Sequence, residues 1–180
     1  MKLVLETCRP PTTQRFASVA RRFVGRELRG YGHVITIAAG AAPGAVRSAG
    51  GYRAVAARLR HRSVFNLRMA LSDGEGLALS ADDAWRPLLL DLLARSSDAV
   101  LVDISDMPSW AWSALEGRGL MARAVFVADW SKLDAAEAAL RDLGLSAPCF
   151  AYAPDGEIQR RGLFRAAMLK AMRAAHGMAA

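Results

Sequence analysis

Asp103, Ser105, Trp110, Trp112 and Glu116 stand close together in "DAVLVDISDMPSWAWSALEG", residues 98–117. An apolar run ends at Asp103, Ile104 and Ser105, a turn with Pro108 follows, and then come two indoles and one acid. An indole offers a flat face on which a heterocycle stacks. A lone carboxylate beside it has the chemistry to stabilise an oxocarbenium ion or to attack a ribosyl carbon. A second set lies in "CRPPTTQRF", residues 8–16. There Arg9 and Arg15 suit phosphate oxygens, and Thr12, Thr13 and the first amides of a following helix add anion donors. Each residue also has an ordinary use. Tryptophans pack in cores, a glutamate at a helix end is solvated, Asp103 bonds nearby amides, and Arg9 is a turn neighbour of Pro10. The combination, brought to one place, is what points to chemistry.

The elements decide whether it is one place. "KLVLETC" (2–8) reads as a strand. In "TQRFASVARRFVGRELRG" (13–30), Phe16, Val19, Ala20, Phe23, Val24 and Leu28 share a helical face, which Gly30 ends. "HVITIA" (33–38) is a second buried strand. A Gly/Pro/Ala-rich loop covers 39–51 and a short basic helix 52–62, and residues 63–80 fit one or two short strands around "DGEG". "SADDAWRPLLLDLLARS" reads as a helix with a capping box from Ser80 to Asp83 and a buried face of Trp85, Leu88, Leu89, Leu92 and Leu93. "AVLVDIS" (99–105) is the clearest strand, and "WAWSALEG" a short helix. "RAVFVAD" (123–129) is a strand, and "SKLDAAEAALRDLG" (131–144) a helix capped by Ser131. "APCFAYA" (147–153) is a strand, "PDGE" (154–157) a turn, and residues 161–175 a closing amphipathic helix.

Strands alternating with helices over short connections predict βαβ crossovers and a parallel sheet covered on both faces. Ligands of such sheets sit beyond the carboxyl ends of the strands, where the strand order reverses. Cys8–Thr13, Ala39–Gly44, Asp103–Glu116 and Asp129–Ser131 all fall at that edge. The loop at 39–51 follows the second strand and so lies at the same edge. No GxGxxG, GxxxxGK[ST] or GxSxG occurs, which argues against a dinucleotide fingerprint, a P-loop and a nucleophile elbow.

The 180 residues are 53% hydrophobic and 23% charged, enough for a sizeable core. No apolar run reaches the ~18 residues of a membrane span, and the N-terminal apolar patch is too short for a secretory signal. A cytoplasmic protein without a membrane span is expected. Cys8 and Cys149 lack metal or redox spacing and are expected to be reduced. His33, His61 and His176 are scattered, so no metal site is expected. Residues 1–70 carry 13 Lys and Arg against 2 acids, and residues 71–180 carry 11 against 15. A basic half favours an anionic partner.

The order of "VLETCRPPTTQRF", "HVITIA", "SSDAVLVDIS" and "WAWSALE" resembles a Toll/interleukin-1 receptor (TIR) domain. In that family a first strand ends in an Arg-containing turn before a helix with an early Phe, here Arg9 and Phe16. A later strand ends in Ser and leads to Trp-x-x-x-Glu, here Ser105, Trp112 and Glu116. Trp110 stands where the family's Ser-x-Trp has its serine. Bacterial TIR-like proteins of antiphage systems, and membrane-tethered TIR-like domains, are similar around "DAWRPLLLDLLARSSDAVLVDIS". The resemblance implies one flavodoxin-like α/β domain over 1–180, a three-layer sandwich with a mostly parallel sheet and a variable insertion at about 39–80. It implies NAD+ as substrate rather than cofactor, cleaved at the nicotinamide–ribose bond in signalling or defence. Glu116 would be catalytic, with Cys8, Arg9, Thr12, Thr13, Asp103, Ser105, Trp110 and Trp112 binding substrate and no metal. Self-association or a partner protein is implied, and nucleic acid is not an expected partner. The alternatives are a non-catalytic nucleotide-sensing or interaction module, and a nucleoside deoxyribosyltransferase-like N-glycosidase.

Overall fold

The computed structural model describes residues 3–7, 19, 22–28, 30–31, 33–38, 46–61, 77–82, 84–105 and 120–177. Six strands form one sheet: β1 (Leu3–Thr7), β2 (His33–Ala38), β3 (Leu77–Ser80), β4 (Ala99–Asp103), β5 (Ala124–Asp129) and β6 (Cys149–Tyr152). Their order is β3-β2-β1-β4-β5-β6, and every ladder between them is parallel. The chain is thus an α/β fold with a parallel sheet between helical layers. Without β3 the order is the 2-1-3-4-5 of flavodoxin-like sheets. β3, which comes from the segment whose reading was open, extends it to 3-2-1-4-5-6.

The central strands β4 and β5 and their neighbour β6 are buried on both faces because they are apolar at nearly every position, and their pleat sorts the side chains. In β4, Val100 and Val102 join one core while Ala99 and Leu101 join the other. In β5, Phe126 and Ala128 part from Val125 and Val127 in the same way. The first core takes in Val55 and Leu59 of α1 (Ala49–His61), Leu89, Leu90 and Leu93 of α2 (Arg86–Ser96), and Ala136 and Leu140 of α3 (Leu133–Asp142). The second takes in Val19, Phe23 and Leu28, which flank and enter a π-helical turn (Val24–Leu28). It also holds Phe164, Met168, Ala171 and Met172 of α4 (Arg161–Gly177). Phe23 stacks on Tyr152 at 5.2 Å between ring centroids, and Phe164 meets Phe23 and Phe150 edge-on.

Several local expectations shift. The loop over 39–51 is shorter than expected, because Ala49, Gly50 and Gly51 already belong to α1 and Val46 is buried and bridged to Ala81. Ser80 ends β3 and so caps no helix. Asp82 closes the turn ahead of α2, its carboxylate accepting from the amide of Trp85 at 3.1 Å, and α2 itself begins after Trp85 without a side-chain cap. Leu88 is 48% exposed; the buried stripe of α2 runs through Leu89, Leu90, Leu93 and Ala94. Before α3, a 3-10 turn (Trp130–Lys132) intervenes, and its cap is Asp129, which accepts from both the amide and the hydroxyl of Ser131. Gly156 closes the turn after β6 with φ +85°; a Cβ there would lie 2.6 Å from the Phe23 nitrogen, so no other residue fits.

Candidate functional site

The strand order reverses between β1 and β4, and this fixes where the carboxyl edge opens. Thr7, the last residue of β1, is in register with Val102, and Asp103 with Val127. The chain therefore leaves β1 and β4 side by side. The next residues in sequence are Cys8–Thr13 after β1 and Ile104–Glu116 after β4. The two sets singled out by their chemistry thus start from adjacent strand ends.

Asp103 is half-buried at this edge, and both its oxygens are engaged. Oδ1 accepts from the Ser105 amide at 3.0 Å, and Oδ2 accepts from the Tyr152 hydroxyl at 2.7 Å. Two donors fit an ionised carboxylate, which is acceptor-only. Ser105 is buried, and its Oγ accepts from the Asp129 amide at 2.7 Å. Asp129 in turn accepts at Oδ1 from the Ser131 amide at 2.9 Å and hydroxyl at 2.6 Å. One chain of hydrogen bonds so ties the ends of β4, β5 and β6. Ser105, Asp129 and Ser131 serve to hold the edge. Asp103 keeps partial access to the edge while its carboxylate is held, whereas Ser105 and Asp129 are buried.

Tyr152 was not among the expected site residues. It is a core aromatic by burial, and its contact with Asp103 spans β5. Only the strand order puts these two side chains on the same face, since both follow the parity of the core built on Leu101 and Phe150. A strand-end tyrosine is the signal in the sequence, without an address for its hydroxyl.

Beyond β6 the turn carries a second polar group. Arg26 reaches Asp155 at 3.1 Å and Glu157 at 2.9 Å, and Arg161 makes a forked contact with Glu27 at 3.0 and 2.5 Å. The amide of Glu157, bonding back to Asp155, holds that exposed carboxyl below its usual range, and Arg26 adds to this. These pairs fasten the π-helical turn to the turn after β6 and to the start of α4. The groove lined by Asp155, Glu157 and Arg161, with Ala153, Ile158 and Gln159, has its acids paired with Arg26 and, for Glu157, also with Arg161. Burial pushes the Cys149 thiol up to about 12, with the charges of Glu137 and Asp103 adding to it, and this cysteine is unpaired. Burial lowers Arg123, partly offset by Asp98, while its guanidinium donates to the Ser97 carbonyl at 2.7 Å.

No family model matches the chain, and no curated protein matches it. A solved structure titled "OtsA apo structure" aligns over 96% of this chain at 12% identity and a TM-score of 0.31. The chain spans 40% of that protein's length. At that TM-score the likeness carries no argument.

Of the residues expected to bind or cleave substrate, Asp103 and Ser105 are described and lie at one strand end. Cys8, Arg9, Thr12, Thr13, Trp110, Trp112 and Glu116 lie outside the described residues, as do Ala39–Gly44. Among the described residues no group of three His, Cys, Asp or Glu is arranged to hold a metal ion. No helix there is long and apolar enough to cross a membrane.

Proposed function

We propose that the chain binds NAD+ at the carboxyl edge between β1 and β4 and cleaves its nicotinamide–ribose bond. The observation that carries this reading is the reversal of strand order between β1 and β4. It starts "CRPPTT" and "ISDMPSWAWSALE" from neighbouring strand ends, at the position where doubly wound sheets take nucleotides. Arg9, Thr12 and Thr13 supply donors for the two phosphates, and an indole from Trp110 or Trp112 supplies a stacking face. Asp103, held by Tyr152 and Ser105, supplies a fixed acceptor for a ribose hydroxyl.

In the reaction, the bond between C1′ of the ribose and the ring nitrogen breaks. Its electron pair passes to the nicotinamide, which leaves neutral. The positive charge develops on C1′ and the ring oxygen, and the Glu116 carboxylate stabilises it or captures it as an ester. Water then adds at C1′, loses a proton, and gives ADP-ribose.

Hydrogen exchange with and without NAD+ tests the site. Protection of amides in 8–13 and 104–116, with little change at the amino edge around Ser97 and Arg123, is the expected result. Protection without release of nicotinamide would make the chain a nucleotide sensor. Protection confined to other segments would remove the site from this edge.

A further inference from the structure

The outer face of α4 is not used by the site at the carboxyl edge. The inner face of this helix, Phe164, Met168, Ala171 and Met172, is packed in the core. Its other side is exposed and carries an unusual mixture. Leu163 is 62% exposed and Leu169 39%. Leu163, Ala166, Lys170 and Arg173 follow one another at helical spacings of three and four, and Leu169 lies one turn from both Arg165 and Arg173. The helix has four cations, Arg161, Arg165, Lys170 and Arg173, and no acid. Arg161 is bound to Glu27, whereas Arg165, Lys170 and Arg173 form no ion pair among the described residues.

We infer that this face docks on an anionic lipid bilayer. Charge complementarity selects an anionic partner, and the leucines select among anionic partners. A second copy of the chain would bring cations against cations. A nucleic acid would take up the cations but offer the leucines only phosphate and sugar. A bilayer meets both, with headgroups at the level of the cations and the acyl boundary just beneath. The face is also a ridge, the convex side of a helix seated in its own core, which suits a deformable layer. Binding is peripheral, with the helix lying in the plane of the surface and its inner face still packed on the sheet.

Vesicle sedimentation tests this with the intact chain. The probes are phosphatidylcholine vesicles and vesicles in which about a third of the lipid is phosphatidylglycerol. The expected result is binding to the anionic vesicles only, lost at high salt. Lys170→Glu/Arg173→Glu should lower the partition coefficient at least ~10-fold. Leu163→Ser/Leu169→Ser should lower it by about the same factor at unchanged charge. Arg47→Glu/Arg53→Glu, the same change of charge on exposed positions in and just before α1, should leave it within ~2-fold. All these positions are exposed, so thermal melts should stay close to that of the parent chain. The inference is overturned if anionic vesicles are not bound, or if the leucine pair binds as well as the parent. It is equally overturned if the α1 pair weakens binding as much as the α4 pair. Capture of an acidic amphipathic peptide in place of vesicles would assign the face to a protein partner instead.

Discussion

Asp103 and Tyr152 set the fine geometry of the edge. The 2.7 Å contact ends on a charged acceptor that is half-buried. Tyr152→Phe keeps the ring on Phe23 and removes the donor. Equilibrium unfolding should show a loss of about 1.5 kcal/mol, in the range for a hydrogen bond to a charged group, with an unchanged denaturant slope. A second residue-scale effect comes from Cys149. Burial raises this thiol from its ordinary 9.0 to about 12 in the folded chain. The unfolded chain therefore ionises first. Its contribution to stability is complete below pH 9 and is lost as the pH climbs from there towards 12. Cys149→Ala should flatten that alkaline limb when stability is measured between pH 8 and 11. Both residues were visible in the sequence as strand-end or strand-start positions. What they touch was not, because their neighbours come from strands remote in the chain.

At the scale of elements, the strands were legible because β-branched and apolar runs bounded by turn residues have few other solutions. His33–Ala38 matches its expected bounds, and Ala124–Asp129 differs from its own by one residue. Helix phase and caps were less legible. Trp85 to Leu93 is so rich in leucine that two stripes fit the period, and only packing against Val100 and Val102 chooses between them. Leu88→Ser should therefore change stability by under ~0.5 kcal/mol, while Leu89→Ala should cost ~2–5 kcal/mol. Chemical denaturation of the two variants side by side checks the phase. Caps slipped for a related reason. Ser80 and Asp83 have the spacing of a capping box, but β3 runs through Ser80 and leaves Asp82 at the turn. Ser131 is likewise served by Asp129 because β5 extends to that residue.

At the scale of the whole molecule, alternation of strand and helix fixes the class, and right-handed crossovers over short connections favour a parallel sheet. The order of strands is not written in the alternation. β3 comes from a stretch without clear period, and its addition beyond β2 turns a five-strand order into six. The edge itself was legible, since any parallel sheet collects its strand ends there. That the Arg9 and Glu116 segments leave from adjacent strands needed the position of β1 beside β4. The central claim is that this juncture cleaves NAD+ with Glu116 as its carboxylate. Release of nicotinamide by the purified chain, compared with Glu116→Gln at matched folding, tests it most directly. The account predicts turnover by the parent chain and a fall of ~100-fold or more in the variant, the scale of removing a preorganised charge. Equal turnover by both proteins, or none by the parent chain, would contradict it.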